Sequence, residues 1–417
     1  MAKQIHKRFS DEFVKSILEK YSTGHLSLKQ CLDILQIKKA RFFRLLKNYK
    51  SNPSSFSISY KRKSPTNKLD PLLEKIILEE LKKEKEIIID NKDVPTNYYN
   101  YSSIKIEIER KYNLKVSLPT IIKIAKQNNF YIPKIKRVKH TKEVITNYPG
   151  ELIQHDSSFH KFSPYADKKW YLITSLDDYS RYILYAKLVE KESVWAHISA
   201  LKWVFLNFGV PIAYYTDSHS IFRFVQGRDS IWRKHKKVTD ESTPQFKQVL
   251  DDMNVKIIYA LSPQAKGKVE RSYRWLQDRI VRRSAREYVK EIKEANEILE
   301  EEVKRYNEKQ VHSVTREIPV VRLEKAIKTN RTLFREFKMP EPYEDINDIF
   351  CYRIERRVDG YHKVSIKNEK IRVKGVEIYE KVKIRVVPDY ERGISELRIW
   401  YRGKLVDKHI IKTTEII

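Results

Sequence analysis

Three acidic residues are spaced so that neighbouring structural elements could present them together. Asp156 lies in a predicted strand, IQHDSSF; Asp217 ends a second, buried strand, VPIAYYTD; and Glu270 lies on the long helix predicted after a further strand. Acids on the strands of an α/β domain are where metals and ligands tend to gather. Carboxylate oxygens are hard donors that suit Mg²⁺ or Mn²⁺. Two such ions roughly 3.5–4 Å apart can activate an attacking oxygen and stabilise a leaving one in phosphoryl transfer.

Each acid taken alone has a simpler interpretation as a solvated charge or a salt-bridge partner. The residues around Glu270 favour a functional role instead, because the stretch SPQAKGKVERSYRWLQDR (262–279) surrounds one glutamate with cations. Lys266 and Arg274 lie one helical turn either side of Glu270. We expect these two side chains to hold phosphates beside a metal, with Lys268 and Arg271 also facing the ligand.

Other residues near the acids have competing interpretations. His155, His160 and His219 lie close in sequence to two of the acids and could ligate a metal. Histidine favours softer ions, so we expect them instead to orient neighbouring groups or the substrate. Asp177 and Asp178 lie in the polar turn DDYS between two predicted strands, where turn and salt-bridge roles are the simpler interpretation.

The elements that must position these residues form a mixed α/β pattern. From about residue 150 the chain predicts three strands, a helix, a strand, a helix, a strand and a long helix. An apolar stripe, from Tyr288 through Ile292, Ala295 and Leu299 to Tyr306, predicts a further helix that packs on its own domain. Trp170, Trp203 and Trp275 are expected in the core. The tail alternates strictly in KVKIRV and LRIWYRGKLV, which predicts a small antiparallel barrel or sandwich.

The first 50 residues read as three short helices. Ser27 is the expected cap of the second, a turn is expected near Gln36, and a cationic third helix follows. Helix, tight turn and cationic helix are typical of a helix-turn-helix DNA reader, although an ordinary three-helix unit with a solvated basic face has the same pattern. Residues 102–130 repeat the two-helix pattern, with Ser117 as cap and Pro119 in the first turn.

The charge of the chain indicates a polyanionic partner. The 417 residues carry a net charge of +29, and residues 1–150 hold 32 Lys and Arg against 15 Asp and Glu. Cations concentrated at one end favour nucleic acid, because each phosphate contact releases counterions. A generally basic surface or a lysine-rich composition is the simpler alternative. A membrane surface fits less well, since the basic segments do not form one strongly amphipathic helix.

Size and cysteine content exclude other classes of protein. The chain is too long for one core, and 41% hydrophobic residues can build several. Two cysteines form neither a disulfide scaffold nor a Cys-rich zinc cluster. No stretch approaches the roughly 20 apolar residues of a membrane span, and MAKQIHKRFSDEF has no apolar run behind its cations. We therefore expect a cytoplasmic protein.

Several motifs together resemble a known family. YTDSHSIFR and SPQAKGKVERSYRWLQDRIV look very like the catalytic motifs of DDE transposases in the ISNCY group of bacterial insertion sequences. QHDSSFH resembles the first acidic motif of that group, and DDYSR the turn found across retroviral-integrase-like cores. The resemblance covers about 150–320, including Tyr306–Asn307, His312–Ser313 and Pro319.

The resemblance implies an RNase H-like core in which Asp156, Asp217 and Glu270 are the catalytic triad and bind Mg²⁺ or Mn²⁺, two ions per site. The implied reactions are metal-dependent hydrolysis at the ends of an insertion sequence and attack of the freed 3′-hydroxyls on target DNA, with no covalent protein intermediate. The implied partners are double-stranded DNA, as transposon ends and target, and further copies of the chain, as a dimer or larger assembly in a synaptic complex. Asp217 and Glu270 stand 53 positions apart, farther than in retroviral integrases, and the extra length falls in a basic insertion, 226–243.

The predicted organisation is multidomain: N-terminal all-α helix-turn-helix units that bind DNA, an α/β catalytic core and a β tail. Its segments are a helix-turn-helix domain (1–50), a linker (51–68), a second helix-turn-helix-like domain (69–133), a basic linker (134–149), the RNase H-like core (150–285), a helical extension (286–345) and a C-terminal β-barrel (346–417). The expected DNA contacts are Lys38, Lys39, Arg41, Arg44, Lys47, Arg62, Lys63, Lys123, Lys126, Lys136, Arg137, Lys266, Lys268, Arg271 and Arg274.

Two rival functions remain open from the sequence. A DNA-binding regulator with a decayed core would have lost at least one triad position, whereas all three acids are present. A simple metal-dependent nuclease of the same fold would have little use for two DNA-reading units and a β tail.

Overall fold

The structure is a computed structural model. It describes residues 4–59, 69–133, 146–216, 244–259, 267–366 and 369–413, with the backbone alone for 267–272. By their internal contacts the residues divide into two compact units, Met1–Glu74 and Lys75–Ile417. The finer division into seven segments stays a prediction.

The first unit is built around three helices, which follow a short 3₁₀ turn at Ile5–Lys7: α1 (Asp11–Ser22), α2 (Leu28–Leu35) and α3 (Lys39–Ser51). Ser27 caps α2 by accepting the Gln30 N–H, and Gln36 ends it with a left-handed φ of 50°. The predicted cap and turn are both confirmed. Val14, Leu35 and Phe42 lie in one buried core, which leaves the cations of α3 outside it.

A second helical region opens the larger unit. It contains α4 (Pro71–Glu84), which begins in the first unit and runs into a π-helical turn at Lys85–Ile89, then α5 (Tyr101–Tyr112) and α6 (Leu118–Gln127). Ser117 caps α6 by accepting the Thr120 N–H, and Pro119 lies in the first turn, as predicted. Because Pro lacks the N–H that a first turn leaves unpaired, it starts a helix without cost.

The centre of the larger unit is a five-stranded mixed sheet. Its strands are β1 (Ile153–His160), β2 (Trp170–Asp177), β3 (Ile183–Val189), β4 (Ala213–Thr216) and β5 (Lys256–Tyr259). The order across the sheet is β3-β2-β1-β4-β5. Pairing is antiparallel from β3 to β1 and parallel from β1 to β5. This order and these directions confirm the predicted mixed α/β pattern, while the RNase H-like assignment stays a prediction.

Helices cover both faces of the sheet. One face packs on α7 (Val194–Asn207) and α8 (Gln245–Asp252), through residues such as Ile153 and Phe246. The other packs on α9 (Gly267–Arg286) and α10 (Ile292–Lys309), through residues such as Leu172, Leu276 and Leu299. A shorter helix, α11 (Pro319–Lys328), follows. β1 therefore presents alternate side chains to two different helical layers.

Two predictions about aromatic residues are wrong. Tyr288 precedes α10 and is 69% exposed, so the apolar stripe begins at Ile292. Trp203 is 52% exposed, while Trp170 is buried as expected and Trp275 packs on the core. Helix α7 buries His197, Leu201, Val204 and Phe205, and residue 203 falls outside that stripe.

The tail forms antiparallel strands, as its alternation predicts. They are β6 (Tyr352–Arg357), β7 (Lys363–Ile366), β8 (Glu369–Arg372), β9 (Lys381–Asp389), β10 (Ile394–Tyr401) and β11 (Lys404–Lys412). Four of them pair in the order β11-β10-β9-β6, and β7 pairs with β8. Val364, Ile384 and Leu397 belong to one buried core, so the six strands share an interior. Closure into a barrel stays a prediction.

Two composition-based expectations can be compared with the folded chain. Cys31 and Cys351 are both free and buried. Among the described helices, none combines the length and apolar character that crossing a membrane requires.

Candidate active site

Asp156 lies in the middle of β1 and is half-buried. It is paired across the sheet with Thr174 of β2, and its Oδ1 accepts the Ser157 backbone N–H at 3.1 Å. Side chains alternate along a strand, so Asp156 and Ser158 face the same layer. Ser158 accepts a hydrogen bond from the Gln277 amide of α9 at 2.5 Å, and Asp156 is therefore on the α9 side of the sheet.

Strand β4 leads directly to the second acid of the predicted triad. β1 and β4 pair in parallel, with Gln154 opposite Tyr215, and β4 ends at Thr216, which is fully buried. Asp156 thus lies two residues beyond Gln154, the last residue of β1 that is paired with β4. Asp217 follows Thr216 in the sequence and lies outside the described residues.

Helix α9 runs beside β1 in the same direction. Gln277 bonds to Ser158, and twelve residues later the Val289 carbonyl, just after the helix, accepts a hydrogen bond from Ser163 at 2.5 Å. Moving from Gln277 toward the start of α9 therefore moves from Ser158 toward Asp156. The backbone of Glu270 lies seven positions before Gln277, about two turns or roughly 10 Å along the helix. The side chain of Glu270 lies outside the described residues.

The side chains of the two histidines in the first motif, His155 and His160, do not lie next to the Asp156 carboxylate. His155 faces the opposite layer, is fully buried, and is bonded to Ser175 and to His197. His160 is four residues along the strand, about 13 Å from Asp156; burial, with Lys169 nearby, lowers its pKa. His219 lies outside the described residues. The position of His155 agrees with a supporting role and argues against direct ligation.

Asp177 and Asp178 are structural residues of the turn, as expected. Asp177 is buried and accepts the N–H groups of Gly150 and Ser180 and the Ser180 hydroxyl. Its burial outweighs these bonds and raises its pKa to about 6. Asp178 is paired with Arg181 at 2.9 Å and also accepts hydrogen bonds from Gln154 and Thr146.

The second half of α9 is anchored by buried charges that the sequence did not single out. Arg282 is fully buried; it donates to Asp278 at 2.9 Å and to the Tyr98 carbonyl at 2.6 Å, and is paired with Glu84 of α4. Arg286 is paired with Glu84 at 3.0 Å and with Glu80. Burial works against ionisation of Glu80, but Arg286, with Lys111 and Lys83, outweighs it, so the pKa of Glu80 is lowered.

These ion pairs fasten α4 to the helix that carries Glu270, and hydrogen bonds fasten α5 to it. Asn100, the N-cap of α5, donates to Asp278, and Arg279 donates to Ser102 at 3.0 Å. The partners lie about 180 to 200 residues apart in sequence. No local pattern could have indicated them.

The predicted DNA contacts are distributed over several surfaces. Those described with their side chains are all exposed: Lys38, Lys39, Arg41, Arg44, Lys47, Lys123, Lys126 and Arg274. Lys126 lies 4.7 Å from the centre of the Tyr131 ring. Lys268 and Arg271 belong to α9, but their side chains lie outside the described residues. The remaining ones lie outside the described residues altogether: Arg62, Lys63, Lys136, Arg137 and Lys266, as does the insertion 226–243.

The donor set is compatible with a hard divalent cation. Asp156 offers carboxylate oxygens on a half-buried strand, and oxygen donors of this kind suit Mg²⁺ or Mn²⁺. In the part of the chain that the structure describes, no cluster of three His, Cys, Asp or Glu side chains could hold a metal. Asp156 is the one member of the predicted triad whose side chain is described there.

Comparison with known proteins identifies transposases among the relatives. The chain is 25% identical over 277 residues to y4bF, a candidate transposase of Sinorhizobium fredii, and 27% identical over 269 residues to the transposase for insertion sequence IS1202 of Streptococcus pneumoniae. These alignments include 66% and 64% of the chain and 54% and 52% of the relatives. The chain thus spans about half the length of the curated relatives it matches. The predicted resemblance to transposases is confirmed; membership of the ISNCY group stays a prediction.

Solved structures with a detectable likeness include retroviral integrase catalytic cores. The catalytic core domain of BIV integrase is 14% identical, with a TM-score of 0.31, over 43% of this chain and 98% of that one. The HTLV-2 integrase catalytic core in complex with magnesium is 17% identical, with a TM-score of 0.31, over 42% of this chain and 96% of that one. No family model matches the chain.

Proposed function

We propose that the chain is a DDE transposase, which binds the terminal repeats of an insertion sequence, cleaves the ends and joins the 3′-hydroxyls to target DNA. The likeness to two transposases supports the general activity. The catalytic triad of the proposal is Asp156, Asp217 and Glu270, with Mg²⁺ or Mn²⁺ as the cofactor, two ions per site.

The observation that carries the proposal is the parallel course of α9 and β1. The bonds Gln277–Ser158 and Ser163–Val289 fix that direction, so the start of α9 lies toward the part of β1 that carries Asp156. β4, paired in parallel with β1, ends immediately before Asp217. β1 and β4 therefore run toward the same part of the sheet and α9 begins on that side, which supports a proposal that brings the three acids together.

The chemistry needs few groups from the chain. When bound between carboxylates, divalent cations lower the pKa of a water molecule and stabilise charge on attacking and leaving oxygens. Asp156 would supply one set of oxygen ligands from a strand held on both edges by β2 and β4. Asp217 and Glu270 would supply the others. Arg274, exposed and one turn beyond Glu270, would hold a DNA phosphate near them.

We propose that the two helical regions bind the DNA ends. In the first unit α2, a turn at Gln36 and α3 form a helix-turn-helix, with exposed Lys39, Arg41 and Arg44 on α3. Exposed cations of this kind suit phosphates, which supply most of the salt-dependent affinity for DNA. In the larger unit α5 and α6 form the second reader. We further propose that two or more copies bind paired ends in one synaptic complex.

A strand-joining assay tests this function. The protein is incubated with pre-cut ends of its own element and a plasmid target, in Mg²⁺ or Mn²⁺. We expect joined products that disappear in Asp156→Asn, Asp217→Asn and Glu270→Gln. The matched control is Asp167→Asn, because Asp167 is exposed in the loop between β1 and β2 and the same charge is removed. It should join DNA like the unmodified protein.

The other outcomes assign the rival functions. Binding of the ends without joining, in both metals, would contradict the enzyme and leave a DNA-binding regulator. Cleavage without joining, at unrelated positions, would identify a nuclease.

A further inference from the structure

A chain of buried polar groups lies directly behind Asp156, on the opposite face of β1. His155 Nδ1 is 2.9 Å from the Ser175 hydroxyl, and His155 Nε2 is 2.8 Å from His197 Nδ1 of α7. His197 Nε2 is 3.2 Å from Oε1 of Glu192, which lies between β3 and α7. Both histidines are fully buried, and the Glu192 side chain is only 15% exposed.

One arrangement of protons satisfies every one of these contacts. If His197 donates from Nε2 to the Glu192 carboxylate, its Nδ1 accepts, so His155 donates from Nε2. His155 Nδ1 then accepts from the Ser175 hydroxyl. Both rings are neutral in this arrangement, and all the donors point toward the single carboxylate of Glu192. A buried network in which each member is satisfied holds its side chains in one geometry.

Aromatic packing fixes the first ring of the chain. His155 is stacked on Phe246 of α8, with ring centres 5.3 Å apart and an interplanar angle of 20°. Its ring also meets Tyr214 of β4 edge to face, with 5.9 Å between the centres. The imidazole therefore has little freedom to turn, and the residue before Asp156 is fixed through its side chain.

The residue after Asp156 is fixed by the same carboxylate. The Ser157 hydroxyl donates to Glu192 Oε1, while the Ser157 backbone N–H donates to Asp156 Oδ1. Glu192 thus holds both neighbours of Asp156, Ser157 directly and His155 through His197. A carboxylate must point correctly to bind a cation, and partners that orient ligands typically change metal affinity 10- to 100-fold.

We propose that Glu192 is a positioning residue for Asp156, acting through Ser157 and through the His197–His155 pair. The proposal rests on the proposed function, in which Asp156 is a metal ligand. In this role Glu192 contacts neither the substrate nor the metal. Its role is to hold the short segment 155–157 so that the carboxylate of Asp156 meets the cation in one orientation.

Calorimetric titration with Mn²⁺ tests this role without relying on activity. Glu192→Ala should weaken the Asp156-dependent Mn²⁺ affinity about 10-fold. Glu192→Gln should bind nearly as the unmodified protein does, because its amide oxygen can still accept from His197 and Ser157. The matched control is Glu190→Ala, an exposed glutamate two residues earlier that should have no effect. Joining by Glu192→Ala should recover as the Mn²⁺ concentration rises, because the weakened site fills at higher metal concentration.

The results separate this proposal from the function on which it rests. If the unmodified protein and Asp156→Asn bind Mn²⁺ equally, the proposed function fails. If binding depends on Asp156 but Glu192→Ala matches the unmodified protein, only the positioning role is overturned. Should Glu192→Ala not fold, Ser157→Ala decides in its place: it removes one hydroxyl, and a measurably weaker Mn²⁺ affinity is expected, whereas an unchanged affinity contradicts the proposal.

Discussion

Cations occupy opposite environments in helix α3 and in the second half of helix α9. On α3 they are exposed, and Phe42 and Leu46 supply the buried face. On α9, Arg282 and Arg286 are themselves buried and paired with Glu80 and Glu84 of α4. Both segments look equally basic in sequence. The difference is made by acids about 200 residues away, so the density of Lys and Arg alone does not identify a DNA-binding surface.

The largest expected effect on stability comes from breaking the buried ion pairs of Arg282. Arg282→Met leaves Glu84 and Asp278 buried with one cation fewer, which should lower the free energy of unfolding by roughly 3–5 kcal/mol. Urea unfolding followed by tryptophan fluorescence measures this change. Arg274→Met is the matched control on the same helix, because Arg274 is exposed, and its stability should change little. Equal destabilisation of the two variants would remove the contrast between buried and exposed arginines.

Neutralising α3 should weaken DNA binding while leaving the fold intact. Replacing Lys39, Arg41 and Arg44 by Gln should reduce affinity for duplex DNA on the order of 10- to 100-fold. The slope of log affinity against log salt should become shallower by about 0.9 for each phosphate that the variant no longer neutralises. Fluorescence anisotropy over a salt series measures both quantities. An unchanged slope would mean that α3 does not touch DNA phosphates.

The pH dependence of stability should reveal the buried pairing of Glu80. Because its folded-state pKa is lowered, ionised Glu80 stabilises the fold above its unfolded pKa of about 4.5, and this contribution is lost as the pH falls through the folded-state value. The stability advantage over Glu80→Gln should therefore shrink on acidification below about pH 4.5. Urea unfolding at a series of pH values measures it. An advantage that grows on acidification would contradict the pairing. Glu79→Gln, at an exposed neighbouring position, should leave stability nearly unchanged.

The smallest effect is expected from an exposed pair on α11. Lys328 lies 3.3 Å from Glu324, with side chains 75% and 56% exposed. Solvent and salt screen such a pair, so Lys328→Ala should change the free energy of unfolding by no more than about 0.5 kcal/mol. Urea unfolding measures this as well. A destabilisation comparable to that of Arg282→Met would show that burial does not decide what a charge contributes.

Local patterns were enough to predict most of the fold. The caps at Ser27 and Ser117, the turn at Gln36 and the order of strands and helices in the core all follow from residues close together in sequence. Trp203 was predicted wrongly because large aromatic residues are usually buried, and only the orientation of α7 shows that residue 203 faces outward.

The sequence predicted the three acids of the candidate site, but not the residues that support Asp156. Asp156 has a motif around it, whereas its supports have none: His197 lies 42 residues from His155, and Glu192 lies in a charged stretch that reads as solvated. Glu80 and Glu84 are more remote still from their partner Arg286 of α9, at 206 and 202 residues. Contacts between distant segments depend on how helices pack on the sheet, and one sequence contains no local pattern for them.

The proposed function requires Asp156, Asp217 and Glu270 to form one metal site. Anomalous diffraction from a crystal soaked in Mn²⁺ tests this most directly. Manganese peaks are expected within bonding distance of all three carboxylates, and they should disappear in Asp156→Asn. Manganese bound elsewhere, or bound equally without Asp156, would contradict it.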